Sequence, residues 1–214
     1  MSQQEDRTDG EKAENQTPAS DDQPDGSGPT EARGPDAAGL ASQFGAALLK
    51  PDQFFTASER GWKQFGLISI GAFLILVYLQ SAIARMARLW SRGFEFGHIT
   101  HGFTVMLAVA IPLVATIFIF RWLGSRENGQ QSLDFYIEKM GGALVLPSLL
   151  LLISIPLNLM GAAIGGWTRA AALIMVYVAV FFLSHQFAAP NRLRIAAAMT
   201  LGFYFGYRLL LILF

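Results

Sequence analysis

Three side chains that could bind a metal ion or transfer a proton lie close together in the sequence, at Glu95, His98 and His101. On a helix, this spacing would place them at neighbouring positions of one face. A carboxylate with two imidazoles suits zinc or another transition metal. The alternative is a short polar loop at the membrane surface, which Gly97 favours because glycine weakens a continuous helix. No fourth ligand is evident, so we predict no metal and no other cofactor, with these three residues as the candidate site.

Arg208 is a second candidate, because it is the one formal charge within the apolar stretch 195–214. A charge near the bilayer centre costs at least about 2.5 kcal/mol on insertion scales. Six residues follow Arg208, and they correspond to about 9 Å of helix, so the guanidinium could reach the interface and anchor the helix. The alternative is a buried ion pair or an anionic ligand, and Glu95 is the predicted pairing partner.

Small residues recur at every fourth position of the same stretch, at Ala198, Gly202 and Gly206. This spacing lets another helix approach closely. We expect helix packing within the chain, with dimerisation as the alternative.

For Asn158 we predict an interhelical hydrogen bond. Three prolines predict ordinary kinks within spans; they are Pro112, Pro147 and Pro156.

Membrane-spanning helices must position these residues. Of the 214 residues, 52% are hydrophobic and 15% are charged, which argues against a simple soluble domain. About 20 apolar residues are needed to cross a bilayer, and the stretches of low charge predict five spans. We therefore predict an all-α transmembrane bundle, with a turn at 161–166 and a solvated connector at 121–139 that could contain a short amphipathic helix at 133–137. The predicted spans are about 64–84, 102–120, 143–160, 170–186 and 195–214.

Basic residues at the span ends predict the orientation. With the N-terminus in the cytoplasm, eight Lys and Arg side chains lie at cytoplasmic span ends and five at the opposite ends, which favours a cytoplasmic N-terminus and an external C-terminus. Arg85, Arg88 and Arg92 oppose this assignment; they would anchor the first span or bind anionic lipid headgroups. Arg outnumbers Lys 12 to 4 and Ala is frequent, a composition that suggests a GC-rich bacterial genome. We therefore predict that the protein lies in a bacterial cytoplasmic membrane.

The N-terminal region has a different composition. Residues 1–49 hold ten acidic and three basic side chains, so their charge of −7 cancels the +7 of the remaining chain. The first 43 residues contain no Phe, Trp or Tyr and cannot bury enough apolar area to offset ordering entropy. We predict that residues 1–39 form a disordered acidic cytosolic tail that recruits a cytosolic protein partner. Nucleic-acid binding is not expected, because no basic patch contains stacking aromatics.

An amphipathic junction is predicted at 40–56, between this tail and a five-helix transmembrane domain at 57–214. Leu40, Phe44 and Leu48 form an apolar stripe suited to the membrane surface or to the bundle. Pro51 ends that helix. Thr56 and Glu59 have the spacing of a capping box at the start of the first spanning helix.

The junction continues as Leu48-Leu49-Lys50-Pro51-Asp52-Gln53-Phe54-Phe55. With a hydrophilic N-terminal region before it and five spans after it, this sequence resembles the Yip1-like family of polytopic membrane proteins. The resemblance covers residues 45–214 in layout, while residue similarity is confined to the junction. It implies a cytosolic N-terminus and a role in membrane organisation or trafficking, and it supplies no site residue.

No catalytic pattern is present. The sequence lacks a G-x-S-x-G elbow, an H-E-x-x-H motif and a P-loop, and the absence of cysteine excludes disulfides and thiolate sites. We predict a non-enzymatic integral membrane protein that contacts the bilayer and acts in membrane organisation or as a scaffold. The alternative is a small transporter or channel that uses Arg208 and the Glu95/His98/His101 cluster. A membrane metalloenzyme is a third possibility if that cluster binds metal.

Overall fold

The protein is an all-α membrane bundle. The computed structural model describes residues 37–49, 63–88, 96–127, 131–160, 162–187 and 192–213. Five of the described helices are long and apolar enough to cross a membrane, which confirms the predicted five-span bundle. The helices are α1 (Ala37–Leu49), α2 (Lys63–Arg88), α3 (Phe96–Glu127), α4 (Leu133–Met160), α5 (Ala162–Phe187) and α6 (Arg192–Leu213).

Successive spans run in opposite directions, so the bundle has two distinct ends. We name them the Lys63 end, where α2, α4 and α6 begin, and the Arg88 end, where they finish. The helices α2 and α3 meet at Gly102, where an added Cβ would lie 2.9 Å from the carbonyl oxygen of Tyr78. Both residues lie toward the Arg88 end, as antiparallel neighbours require.

The helices extend beyond the stretches of low charge that predicted them. The bounds of the solvated connector predicted at 121–139 are wrong, because α3 continues to Glu127 and α4 begins at Leu133. The short helix that the prediction allowed at 133–137 is the first part of α4. Lys139 is buried within α4, with its Nζ 5.3 Å from the centroid of the Phe135 ring. Charged side chains are compatible with a helix where the headgroup region or a neighbouring side chain accommodates them. Helix boundaries predicted from charge alone therefore make these helices too short.

The turn predicted at 161–166 is wrong for residues 162–166, whereas Gly161 lies outside the described residues. The helix α5 begins at Ala162, and both Gly165 and Gly166 are helical. Glycine is a poor helix former, so composition alone favours a turn here. Packing explains the helical glycine, because Gly165 is buried against α4 at a point where a larger side chain would overlap Asn158.

The helices α2 and α4 cross closely at a pair of glycines. Gly141 of α4 faces Gly66 of α2, and a Cβ added at Gly141 would lie 2.5 Å from the Gly66 Cα. The hydrophobic core extends from this crossing along the bundle, because each spanning helix buries one face against its neighbours. Representative core residues of the five spans are Phe73, Leu113, Leu144, Val180 and Phe203.

The short helix α1 packs on the bundle. Phe44 makes an edge-to-face contact with Phe65 of α2, with ring centroids 5.0 Å apart and an interplanar angle of 70°. Leu40 also packs against the cluster formed by Phe65 and Val145. The apolar stripe of α1 could have lain on the membrane surface or on the bundle, and in the structure it packs on the bundle. Residues 37–39, which the prediction placed in the disordered tail, form the start of α1, so the tail boundary was predicted too late. Residues 1–36, Pro51 and the capping box at Thr56 and Glu59 lie outside the described residues.

Candidate functional site

A cavity with two arginines lies toward the Arg88 end of the bundle. Its volume is about 460 Å³, and its described walls come from α2, α4, α5 and α6. The apolar part of the wall includes Ala84, Leu173 and Ile174. The polar side chains around it are Gln80, Asn158, Arg169, Tyr177, Tyr204, Tyr207 and Arg208.

The two arginines reach the cavity from different helices. Arg169 lies about 10 Å along α5 from its start at Ala162, and Arg208 lies about 8 Å before the end of α6 at Leu213. They therefore lie at similar depths from the Arg88 end. Within the described residues, neither guanidinium forms an ion pair with a carboxylate. The described cavity wall also contains no Asp or Glu.

A set of aromatic rings positions Arg208. Its guanidinium carbon lies 5.7 Å from the centroid of the Tyr204 ring, within the range of a cation–π interaction. Tyr204 in turn contacts Tyr177 of α5 edge to face, with centroids 5.9 Å apart. Tyr204 also forms a side-chain hydrogen bond with the guanidinium, which has five N–H donors in all.

Gln80 supplies a buried amide to the cavity wall. Its side chain is 1% exposed, and neither Nε2 nor Oε1 has a hydrogen-bond partner. Buried polar groups in folded proteins are almost always hydrogen-bonded, and an unpaired one costs about 1 to 3 kcal/mol. Both amide atoms are fully covered by their neighbours, so they could bond to a ligand only after a side chain of the cavity wall moves.

Asn158 closes the cavity near the connection between α4 and α5. Its Nδ2 donates a hydrogen bond to the carbonyl oxygen of Ser154 at 2.9 Å. The predicted interhelical bond is therefore wrong, because the amide reaches back to a carbonyl one turn earlier in its own helix. Its Oδ1 lies against Gly165 of α5, where a Cβ would overlap it. Asn158 thus sets the distance between the ends of the two helices.

The chemistry of the cavity is that of an anion-binding site. Two guanidiniums and three phenol groups supply hydrogen-bond donors, while the described wall has no carboxylate that would neutralise the positive charge. Guanidinium groups bind carboxylate and phosphate through paired N–H donors in a fixed plane. The wall residues also include no His, Ser or Lys, so the described cavity lacks the usual pairing of a nucleophile with a base.

The predicted Glu95/His98/His101 cluster is only partly described. His98 is buried and His101 half-buried, one turn apart on α3, whereas Glu95 lies outside the described residues. No group of three metal-ligating side chains occurs in the described part of the chain. The cluster, and the pairing of Glu95 with Arg208, therefore stay predictions.

The small residues of α6 line a groove beside α3. A Cβ added at Gly206 would lie 3.5 Å from Cγ of Pro112, whereas Gly202 has open space around it. Ala198 is also exposed. The groove between the two helices has a volume of about 590 Å³ and includes Ile119 and Trp122 of α3. Of the three small residues, Gly206 is thus the one that faces a neighbouring helix at contact distance.

The structure describes only part of the arginine cluster Arg85, Arg88 and Arg92 at the end of the first span. Arg85 is half-buried on α2, the backbone of Arg88 ends that helix, and Arg92 lies outside the described residues. Their proposed contact with lipid headgroups stays a prediction.

Most residues of the cavity were missed by the sequence analysis. Arg169 was counted as a basic residue at a span end, because the glycines before it predicted a turn. Gln80 carries no formal charge and lies within the first predicted span at 64–84, so a search for charged residues does not identify it. The signal that could have found the site is the pattern Tyr204-x-x-Tyr207-Arg208 on the last span, which places aromatic rings beside a charge in the membrane.

Comparisons with known proteins give no match: no family model, no curated protein and no solved structure matches this chain. The resemblance to the Yip1-like family therefore stays a prediction from the junction residues.

Proposed function

We propose that this integral membrane protein binds an anion in the cavity between α2, α4, α5 and α6, and that it acts as a small, non-enzymatic transporter. The observation that carries the proposal is the convergence of Arg169 and Arg208, from two helices, on one cavity with no described carboxylate in its wall. This develops the transporter alternative of the sequence analysis and replaces the predicted cluster on α3 with a different site.

Electrostatics supports an anionic ligand. A guanidinium within a membrane span is costly unless it is paired or reaches water. Arginines that serve only as anchors extend independently toward the interface, and nothing in that role brings two of them to one cavity. An anion bound between Arg169 and Arg208 would compensate both charges at once.

The position of the cavity is compatible with transport. Gln80 lies about 6 Å along α2 from residue 84, where the charge-free stretch ends. The cavity therefore enters the hydrocarbon core from the Arg88 end and lies nearer that interface than the midplane of a core about 30 Å thick. Transporters bind their substrates between helices, where polar groups are shielded from lipid, and this cavity lies between four helices.

A thermal-shift experiment tests anion binding. The purified protein in neutral nanodiscs would be titrated with inorganic phosphate, glycerol 3-phosphate and dioleoyl phosphatidic acid, because a ligand that binds the native state raises the unfolding temperature. We expect at least one anion to stabilise the wild type and the control Arg194→Gln, an exposed arginine of α6 outside the cavity wall. The stabilisation should be lost in Arg169→Gln and Arg208→Gln. Equal shifts in all four proteins would overturn the proposal.

A flux measurement tests the transport step. Proteoliposomes would be loaded with the stabilising anion, and its movement across the bilayer would be followed for the wild type, Arg208→Gln and Arg194→Gln. We expect flux in the wild type and in Arg194→Gln, and a loss of flux in Arg208→Gln. Binding without any flux in the wild type would restrict the function to binding.

A second candidate function is membrane organisation through the acidic tail, as the Yip1-like resemblance implies. The contact of α1 with α2 at Phe44 and Phe65 favours it, because it fixes on the bundle the helix that follows the predicted tail in sequence. Removal of residues 1–36 should then abolish binding to a cytosolic partner and leave membrane insertion intact. Loss of insertion, or unchanged partner binding, would contradict this role.

A further inference from the structure

We propose that the anion is the phosphate headgroup of a lipid, held between Arg169 and Arg208, with its acyl chain along the outer face of α6. This inference rests on the proposed anion-binding function and names the class of ligand. The relevant face consists of Phe205, Leu209 and Ile212, and we refer to it as the chain face.

The polar cavity and the chain face share wall residues at Arg208. A second depression of about 500 Å³ is lined by Tyr204, Phe205, Gly206, Arg208, Leu209 and Ile212. Tyr204 and Arg208 belong to the walls of both. A molecule that occupied both depressions would therefore have its charged group at the guanidinium and its apolar part along Phe205, Leu209 and Ile212.

The chain face is strongly apolar and uncovered by the described helices. Phe205 is 63% exposed, Leu209 60% and Ile212 82%. Their spacing at i, i+4 and i+7 places them on one side of α6. Because α6 is a membrane span, this side contacts acyl chains. A lipid could thus move its headgroup from the bilayer to Arg208 while its chain stays in hydrocarbon.

The headgroup chemistry favours phosphate. Each guanidinium can donate two parallel N–H bonds, and the Tyr177 and Tyr207 hydroxyls are further donors near the arginines. A carboxylate has two oxygens to accept these bonds, whereas a phosphate monoester has three strong acceptor oxygens and a charge of about −1.5 to −2 at neutral pH. Its charge approaches the sum of the two arginines.

The test separates a lipid from a free phosphate. In nanodiscs of neutral phosphatidylcholine, thermal shifts would be compared for dioleoyl phosphatidic acid and for soluble glycerol 3-phosphate. We expect the lipid to stabilise the wild type at an effective concentration roughly tenfold or more below that of glycerol 3-phosphate, because its chain is already held by the chain face. Arg208→Gln should abolish the response to the lipid.

Variants of the chain face test the position of the acyl chain. The double substitution Phe205→Ala/Leu209→Ala should weaken the response to phosphatidic acid about fivefold or more and leave the response to glycerol 3-phosphate unchanged. The control is Leu201→Ala, an exposed leucine of α6 that does not line this depression, and it should behave as the wild type.

The possible outcomes distinguish lipid binding from anion binding in general. If glycerol 3-phosphate binds as tightly as the lipid, and the arginine variants lose both, the lipid inference is overturned while anion binding stands. If the chain-face variant and Leu201→Ala respond alike to the lipid, the chain does not lie on this face and the inference is likewise overturned. If no anion gives an arginine-dependent shift, both proposals fail.

Discussion

Gly66 and Gly141 are in backbone contact where α2 crosses α4. A Cβ at Gly141 would lie 2.5 Å from the Gly66 Cα, and a Cβ at Gly66 would lie 2.5 Å from the carbonyl oxygen of Ile137. Side-chain carbons in proteins do not approach other heavy atoms this closely, so both positions require glycine. The crossing fixes how α2 and α4 pack, and thereby where Gln80 and Asn158 stand near the other end of the bundle.

The first prediction concerns this crossing. Gly66→Ala and Gly141→Ala should each destabilise the bundle by about 1 to 3 kcal/mol, because the helices must separate to admit a methyl group. Unfolding in mixed micelles, followed by circular dichroism, measures the change. The matched control is Gly71→Ala on α2, where an added Cβ meets nothing within 4 Å; alanine should leave stability unchanged or raise it slightly. Equal effects at Gly71 and Gly141 would contradict the backbone contact.

Gln80 gives the second prediction. Gln80→Leu should raise the free energy of unfolding by about 1 kcal/mol or more, because it removes a buried amide that has no protein partner. The same substitution should reduce the arginine-dependent thermal shift with anions, since it removes a group of the cavity wall. Stability and ligand response are thus expected to change in opposite directions.

Gln186 supplies the matched control for Gln80. Its Oε1 is also buried without a hydrogen-bond partner, but it lies on α5 near the Lys63 end and does not line the cavity. Gln186→Leu should leave the anion response unchanged. A Gln80→Leu protein that binds anions as the wild type does would show that the amide takes no part in the site.

The five spans could be predicted from the sequence because lipid imposes a local rule. Each crossing must be apolar over a length set by the bilayer, and this property is readable within each segment separately. The ends of the helices obey no such rule. Lys139 is buried inside α4 and Arg169 stands in the second turn of α5, although charge and glycine content placed both in connections.

The cavity could not be predicted in the same way. Its residues come from four helices, and whether they meet depends on the rotation and crossing of those helices, which no single segment specifies. Gly66 and Gly141 illustrate the point, because neither belongs to a four-residue repeat of small residues like that at Ala198, Gly202 and Gly206. The charge of Arg208 identified it as a candidate from the sequence. That Arg208 and Arg169 line the same cavity could be seen only in the structure.

The third prediction concerns the contact between Asn158 and Gly165. Gly165→Ala should destabilise the protein by about 1 to 3 kcal/mol, because the new methyl group would overlap the Asn158 amide. Asn158→Ala removes that obstacle, so the double variant should be less destabilised than the sum of the two single changes. Gly166→Ala is the control, since its added Cβ meets nothing within 4 Å. Additive effects of Gly165→Ala and Asn158→Ala would contradict the contact.

The fourth prediction concerns the ion pair between α2 and α4 at the Lys63 end. Lys63 Nζ lies 3.3 Å from Asp134 Oδ1, and both side chains are well exposed. Exposed pairs contribute about 0 to 1 kcal/mol and are screened by salt. Asp134→Asn should therefore lower stability by less than about 1 kcal/mol, and the difference from the wild type should shrink as salt is raised in the unfolding assay. A larger, salt-independent loss would indicate that Asp134 has another structural role.

The last prediction concerns orientation, and the cysteine-free chain makes it directly measurable. Ser132 precedes α4 at the Lys63 end, whereas Met160 ends α4 at the Arg88 end and is 82% exposed. If basic residues orient the bundle as predicted, a membrane-impermeant maleimide applied to intact cells should label Met160→Cys and leave Ser132→Cys unlabelled until the cells are opened. The reverse pattern would place the arginine cavity toward the cytoplasm, and the lipid ligand would then be drawn from the inner leaflet.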